Sequence, residues 1–258
     1  MMMQAAHGRA VAVRRGGSFL YLPRALSPSS ARGRRYNSFD PVAALNTTDK
    51  SAAGAVALYD AWAATYDQTL REWGYEAPEK TAELLADHRS GSMIPLGIPV
   101  LDCGCGTGLS SEALAANGFT TLYGVDVSSE SLALCRKKGL HTELELCELD
   151  TEPLPFPTDS FSAVACVGVL SYVTKFEHIF GEWCRTTRPG GLCAFTTRTW
   201  DEDTHGIRTA AECLVSSGKW RLRHLSAPSP YMPKNPLPEE SSKRIRYLVY
   251  EVLLDKQS

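Results

Sequence analysis

The chain has 258 residues, 43% hydrophobic and 22% charged, which suits a globular body able to bury one sizeable core. Its longest apolar run, residues 161–170, is strand-length, far short of the roughly 20 residues a membrane-spanning helix needs, so no span is expected. Charge is uneven: residues 1–39 hold seven arginines and no acid, leaving residues 40–258 at about −9, which argues against DNA or RNA as partner.

The first forty residues are rich in Arg, Ser and Ala, the composition of an organellar transit peptide, mitochondrial ahead of plastid. Gly33-Arg34-Arg35-Tyr36-Asn37-Ser38 is similar to a matrix-protease site cut after Tyr36. Gly16-Gly17 interrupts a long amphipathic helix there, and Met1-Met2-Met3 leaves open a disordered tail or a displaced start. With either origin the arm, residues 1–40, stands outside the folded body expected at 55–254, and the cytoplasm is the alternative location.

From residue 55 onward apolar strand runs alternate with helical periodicity. Helices are expected at 57–72 and 78–88, then a Gly/Ser-rich loop at 89–96. Strands at 98–103, 120–125, 142–147, 161–167 and 192–198 enclose helices at 109–117, 129–138 and 175–186. This alternation predicts an α/β fold, a doubly wound and mostly parallel seven-stranded sheet with helices on both faces. A helix near 206–217, strand 220–226, a loop at 227–242 with five prolines and strand 244–253 complete the body. The last two strands imply an antiparallel pair at one edge. The 227–242 loop, with Tyr231 and Met232 at its centre, is either a lid or a passive connection.

Val100-Leu101-Asp102-Cys103-Gly104-Cys105-Gly106-Thr107-Gly108 closes the first strand and opens a helix. Its glycines allow a tight turn and close approach to a ligand at the carboxyl edge of the sheet. A dinucleotide fingerprint needs a small residue three after Gly106, where this chain has Leu109. A carboxylate at Asp102 would repel a pyrophosphate but attract the ammonium and sulfonium of S-adenosyl-L-methionine, so charge favours that donor. Asp126, 22 residues after Gly104 at the end of the second strand, is placed to accept both ribose hydroxyls. Asp150, after the third strand, is placed to accept from an adenine amino group. Asp126 and Asp150 have an alternative use as caps of the helices that follow.

Eight cysteines stand at 103, 105, 135, 147, 166, 184, 193 and 213, without Cys-x-x-Cys or zinc spacing. Reduced thiols in apolar runs and a reducing compartment are expected, and no metal site. Cys103 and Cys105 read as filler of the glycine loop.

These motifs, with Gly124–Val127, the stretch Asp150–Pro157 followed by Ser160-Phe161, and Arg188-Pro189-Gly190-Gly191, resemble the class I methyltransferases. More narrowly, Tyr59-Asp60-Ala61-Trp62-Ala63 with Tyr66-Asp67-Gln68, Val167–Ser171 and Thr196–Thr199 resemble the methyltransferase-like proteins of the Williams–Beuren chromosome region. The resemblance spans roughly residues 55–253. It implies Asp102, Gly104, Gly106 and Gly108 around the methionine part of the donor, Asp126 at the ribose, Asp150 with Thr151 at the adenine, Tyr66 closing over the site and Val167 lining it. The donor site expected is therefore Tyr66, Asp102, Cys103, Gly104, Gly106, Gly108, Asp126, Val127, Asp150, Thr151 and Val167. Ser160-Phe161-Ser162 departs from the family's Ser-Phe-Asp, outside that site.

Methyl transfer is an in-line displacement that needs alignment and dryness before it needs a base, so no catalytic residue is assigned. His178, His205 and His224 read as structural or solvated. The chain lacks Asn-Pro-Pro-Tyr after strand four, a Pro-Cys nucleophile and a catechol-type metal cluster. A small-molecule acceptor comes first and a protein side chain second. Its pocket is expected between the N-terminal helices, Ser171-Tyr172 and the 227–242 loop. A non-catalytic binding protein on the same fold and a nicotinamide-dependent oxidoreductase are the alternatives.

Overall fold

A computed structural model describes residues 52–90, 97–199 and 206–253. The arm at 1–40 with its cleavage site, His205 and residues 91–96 of the Gly/Ser-rich loop lie outside the described residues. Helices run α1 Ala52–Glu72, α2 Ala77–Ser90, α3 Leu109–Ala116, α4 Ser129–Lys137, α5 Phe176–Thr186, α6 Ile207–Ser216 and α7 Pro238–Ser241. Strands run β1 Val100–Cys103, β2 Leu122–Asp126, β3 His141–Leu146, β4 Phe161–Cys166, β5 Thr187–Arg198, β6 Trp220–Leu225, β7 Ser229–Pro230 and β8 Arg244–Val252.

The strands form one sheet in the order β3-β2-β1-β4-β5-β8-β6. β3, β2, β1, β4 and β5 pair in parallel, while β8 is antiparallel to both β5 and β6. All seven expected strands are present, with the antiparallel pair at one edge. The 227–242 segment adds a two-residue strand, β7, against β8, and the single turn α7. The chain steps outward from β1 to β2 and β3, then returns to lay β4 on the other side of β1. That reversal opens a crevice beyond the carboxyl ends of β1 and β4.

Alternation along the buried strands separates the two faces. Leu101, Val164, Cys193, Phe195 and Tyr250 meet Phe176, Ile179, Phe180 and Trp183 of α5 and Ile207, Ala210 and Ala211 of α6. The spacing i, i+3, i+4, i+7 puts the four α5 residues on one stripe. Phe180, Trp183, Phe195, Trp220 and Tyr250 form an aromatic cluster with centroids 4.6–6.3 Å apart. On the opposite face the strands offer the small side chains Ala163, Ala165 and Ala194, and Ala82, Leu85, Ala113 and Leu114 of α2 and α3 rest on them. No described helix is long and apolar enough to cross a membrane.

One boundary departs from the sequence pattern. β5 begins at Thr187, immediately after α5, and its pairing with β4 jumps from Phe161–Thr187 to Ala163–Leu192. The Arg188-Pro189-Gly190-Gly191 turn is thus a bulge within an irregular strand start, with Gly190 at φ +80°.

Candidate donor site

Three adjoining cavities lie at the carboxyl edge of the sheet, and Gly104 lines all of them. The largest, about 100 Å³, is walled by Tyr59, Ala63 and Tyr66 of α1, Gly106, Thr107, Asp126, Val127, and Val167–Val169 with Tyr172 after β4. A second, about 60 Å³, continues past Asp126 and Val127 to Glu148, Leu149 and Asp150. A third, about 40 Å³, lies under Tyr66 and Tyr75 against Cys105 and Ser110.

The glycine turn is fixed from below. The amides of Gly104 and Cys105 donate to the Val125 carbonyl at 2.8 and 3.0 Å, and that of Gly108 to Cys105 at 2.8 Å. Gly104 has φ +77°, and a Cβ there would stand 2.3 Å from Cγ2 of Val169, so the segment after β4 can close over the turn only at a glycine. At Gly106, φ +53°, a Cβ would meet no atom within 4 Å and would project into open space. That space is a cradle in which backbone can approach a ligand.

Asp126 ends β2 with both oxygens engaged: Oδ2 accepts from the Gly106 amide at 2.8 Å and Oδ1 from the Ser128 amide at 2.9 Å. Each oxygen keeps a lone pair for a further donor. Burial raises its pKa, with the two amides opposing. Asp150 accepts from the Thr174 amide and hydroxyl and from the Lys175 amide, holding the entry to α5 while lining the second cavity. Burial pushes its pKa up, but these bonds outweigh burial and leave the carboxyl below its ordinary value.

α1 is stitched over the turn by polar contacts. Thr107 donates to Asp67, Lys138 pairs with Asp67 at 2.7 Å, and Ser128 donates to Asp60. Beneath them Tyr66 packs edge-on to Tyr59 and Trp62, and Tyr59 edge-on to Tyr172. Burial raises the Tyr59, Tyr66 and Tyr75 phenols well above 10, so they stay neutral and act through hydrogen bonds and ring faces.

Of the expected site residues, Tyr66, Gly104, Gly106, Asp126, Val127, Asp150 and Val167 surround these cavities. Four do not. Asp102 is fully buried beneath the turn, with Oδ2 accepting from the Ser110 and Ser111 hydroxyls, so it does not face the ligand space. Its neighbour Cys103 points through the other face of the sheet, where its sulfur accepts from Trp183 Nε1 at 3.3 Å. Gly108 starts α3 at φ +95°, against Cys135. Thr151 is exposed and donates to Glu148 at 3.0 Å. The negative charge at the cavities is that of Asp126, Glu148 and Asp150, not of Asp102; no lysine or arginine lines any of the three.

Sequence reasoning missed Tyr59, Ala63, Thr107, Ser131, Glu148 and Val169. The first two, with Tyr66, have i, i+4, i+7 spacing, which puts them on one face of α1. The described histidines 88, 141, 178 and 224 stand away from the cavity walls. The 227–242 segment packs Met232 with Trp62, Leu70 and Trp73, and stacks Tyr231 edge-on to Tyr75.

A family profile described as a methyltransferase domain matches residues 101–195. Human methyltransferase-like protein 27 is 37% identical over 166 residues, which cover 63% of this chain and 66% of the relative. A fatty-acid O-methyltransferase of Mycolicibacterium smegmatis is 34% identical over 101 residues, 39% of this chain and 37% of the relative. The chain thus spans less than two thirds of either. A geranyl diphosphate methyltransferase solved with its methyl donor shares the fold, with TM-score 0.51 and 17% identity over 68% of this chain and 85% of that one. Residues 101–195 thus match a methyltransferase domain, and the glycine turn and the sheet order are similar to those of the class I S-adenosyl-L-methionine-dependent methyltransferases.

Proposed function

We propose that the protein transfers a methyl group from S-adenosyl-L-methionine to a small-molecule acceptor, a protein side chain being the second candidate. The observation that carries this reading is the string of cavities along the carboxyl edge, lined by Asp126, Glu148 and Asp150 without a cation. Such a wall attracts a cationic ligand and repels the pyrophosphate of a dinucleotide. The relative named as a fatty-acid O-methyltransferase acts, by that name, on a small molecule, which supports the acceptor class.

The residues present fit the donor. Gly104 and Gly106 admit it close to the backbone, the free lone pairs of Asp126 suit the two ribose hydroxyls, and Glu148 and Asp150 stand toward the adenine end. When bound, the donor supplies a methyl carbon activated by a sulfonium. Tyr59, Ala63 and Tyr66 cover the turn and exclude water, and the neutral phenols can hold an acceptor in line without taking a proton.

Calorimetry with S-adenosylhomocysteine and with NAD separates the donor reading from the oxidoreductase, and tritiated-methyl transfer into a fractionated extract separates an enzyme from a binder. Asp126→Ala removes two charge-assisted hydrogen bonds worth about 1.5 kcal/mol or more each, so S-adenosylhomocysteine affinity should fall at least about 100-fold. Unchanged affinity would refute the ribose assignment. The acid-free arm supports a further proposal, an organellar address; residues 1–40 fused to a fluorescent protein should enter mitochondria, and cytoplasmic retention would end it.

A further inference from the structure

Directly beneath the turn lies a chain of groups that methyl transfer does not use. Asp102 Oδ2 accepts the proton of Ser111 Oγ at 2.5 Å, and that same Oγ lies 2.7 Å from Nε2 of His141. A hydroxyl has one proton, and Ser111 gives it to Asp102. Nε2 must therefore be the donor to Ser111. Nδ1 stands 3.7 Å from the sulfur of Cys135. Cys135 also shares a small buried cluster with Cys105 and Leu132, against which Leu144 packs. A side-chain hydrogen bond with Cys105, with His141 and Lys138 beside it, lowers the Cys135 pKa against the effect of burial; the same bond and burial raise that of Cys105. These opposite shifts favour the thiolate on Cys135 and the thiol on Cys105, the arrangement of an attacking and a resolving thiol.

Cys105 lies between Gly104 and Gly106, and it lines the cavity beneath Tyr66. Resting on the donor-site reading above, we propose that Cys105 and Cys135 are a reversible, peroxide-sensitive dithiol whose oxidation latches the glycine turn to α4 and weakens donor binding. The Cys135 thiolate attacks the terminal oxygen of a hydroperoxide: an S–O bond forms, the O–O bond breaks, and the leaving oxygen takes the electron pair and a proton as water or alcohol. The Cys105 sulfur then attacks the sulfenic sulfur, an S–S bond forms, and hydroxide leaves with the thiol proton as water. Each sulfur gives up one electron, and the peroxide gains two. An S–S bond of about 2.05 Å is far shorter than a thiol–thiol contact, so closing it draws Gly104 and Gly106 toward α4. Cys135 is fully buried and lines none of the three cavities, so peroxide must enter past Cys105; a donor filling that cavity would bar it, and donor binding and oxidation would then oppose each other reciprocally.

The test treats the purified, reduced full chain with hydrogen peroxide, blocks remaining thiols and maps disulfides by mass spectrometry. A Cys105–Cys135 cross-link that dithiothreitol reverses and S-adenosylhomocysteine slows is the expected result. Exposed Cys213 serves as the internal control: oxidation there with no 105–135 cross-link overturns the proposal. Cys105→Ser should leave a dimedone-reactive sulfenic acid at Cys135, and His141→Asn should slow cross-linking several-fold; full-rate oxidation of Cys105 in Cys135→Ser would refute the assigned roles. Calorimetry should show S-adenosylhomocysteine affinity about 5- to 150-fold weaker after oxidation and restored by reductant. Equal affinity in both states removes the latch. Because the cross-link is read without donor, a reduced protein that forms it yet ignores S-adenosylhomocysteine would sink the methyl-donor reading and leave the dithiol standing.

Discussion

Asp102→Asn should flatten the acid side of the stability profile. Asp102 is fully buried; desolvation, opposed by the Ser111 and Ser110 hydroxyls, raises its pKa from 3.8 to about 6, and its Oδ1 has no hydrogen-bond partner. Between pH 3.8 and about 6 the folded protein therefore binds more protons than the unfolded chain, and stability falls as pH rises through that window. The interval is roughly two pH units, worth about 3 kcal/mol at 1.36 kcal/mol each. About 2 kcal/mol of that is lost between pH 4.5 and 7.5, where both states remain measurable. Asn keeps the shape and an acceptor for the two serines but cannot ionise. Urea unfolding at the two pH values should show wild type losing about 2 kcal/mol more than Asp102→Asn over this interval. Parallel profiles, within about 0.5 kcal/mol, would mean that the carboxyl is not held in a dry site and would refute the reasoning.

Gly104→Ala forces a Cβ into Val169 and a left-handed φ on alanine; about 3 kcal/mol of stability should go, a fall in Tm of roughly 6–12 °C. Gly106→Ala meets no atom, so calorimetric scanning should find only about 1 kcal/mol lost to its φ, while S-adenosylhomocysteine binding falls at least tenfold because the methyl fills the cradle. Equal effects of the two on binding and stability would contradict this division. Asp150→Ala removes the acceptor for the Thr174 and Lys175 amides and should cost about 1 kcal/mol at neutral pH. Because the Asp150 carboxyl sits below its ordinary pKa, its contribution is present above pH 4 and disappears as pH falls through the folded value; a mutant deficit that did not shrink as the pH was lowered below 4 would count against it.

The sheet and its order of elements were legible because apolar runs of strand length alternate with helical stripes. The glycine turn was legible because three glycines at that strand end have few other uses. Side-chain direction was not. β1 is buried on both faces, so Val100 to Cys103 carry no polar–apolar alternation to show that Asp102 looks toward α3 and Cys103 toward α5. The carboxylate expected to meet the donor's positive charge is instead beneath the floor, and Asp126, one strand away, holds the turn's amide. Thr151 failed for a related reason: the turn after Asp150 swings its hydroxyl back to Glu148, an interaction three residues apart that sequence does not distinguish from a ligand contact. Tyr59 and Ala63 could have been found by carrying the helical period back from Tyr66.

The placement of β8 has a consequence for the growing polypeptide. Seven residue pairs join it to β5, and its other edge carries β6, so β6 reaches the rest of the sheet only through residues 244–252. The ribosome delivers those residues after every wall of the donor site has emerged. Until then Ala194 and Phe195 present an open edge, β6 has no neighbour, and Trp220 lacks its stacking partner Tyr250. The nascent chain would carry a finished set of site residues on an unfinished sheet, and a stop codon ahead of Arg244 should yield a sticky, protease-sensitive product rather than a smaller working protein.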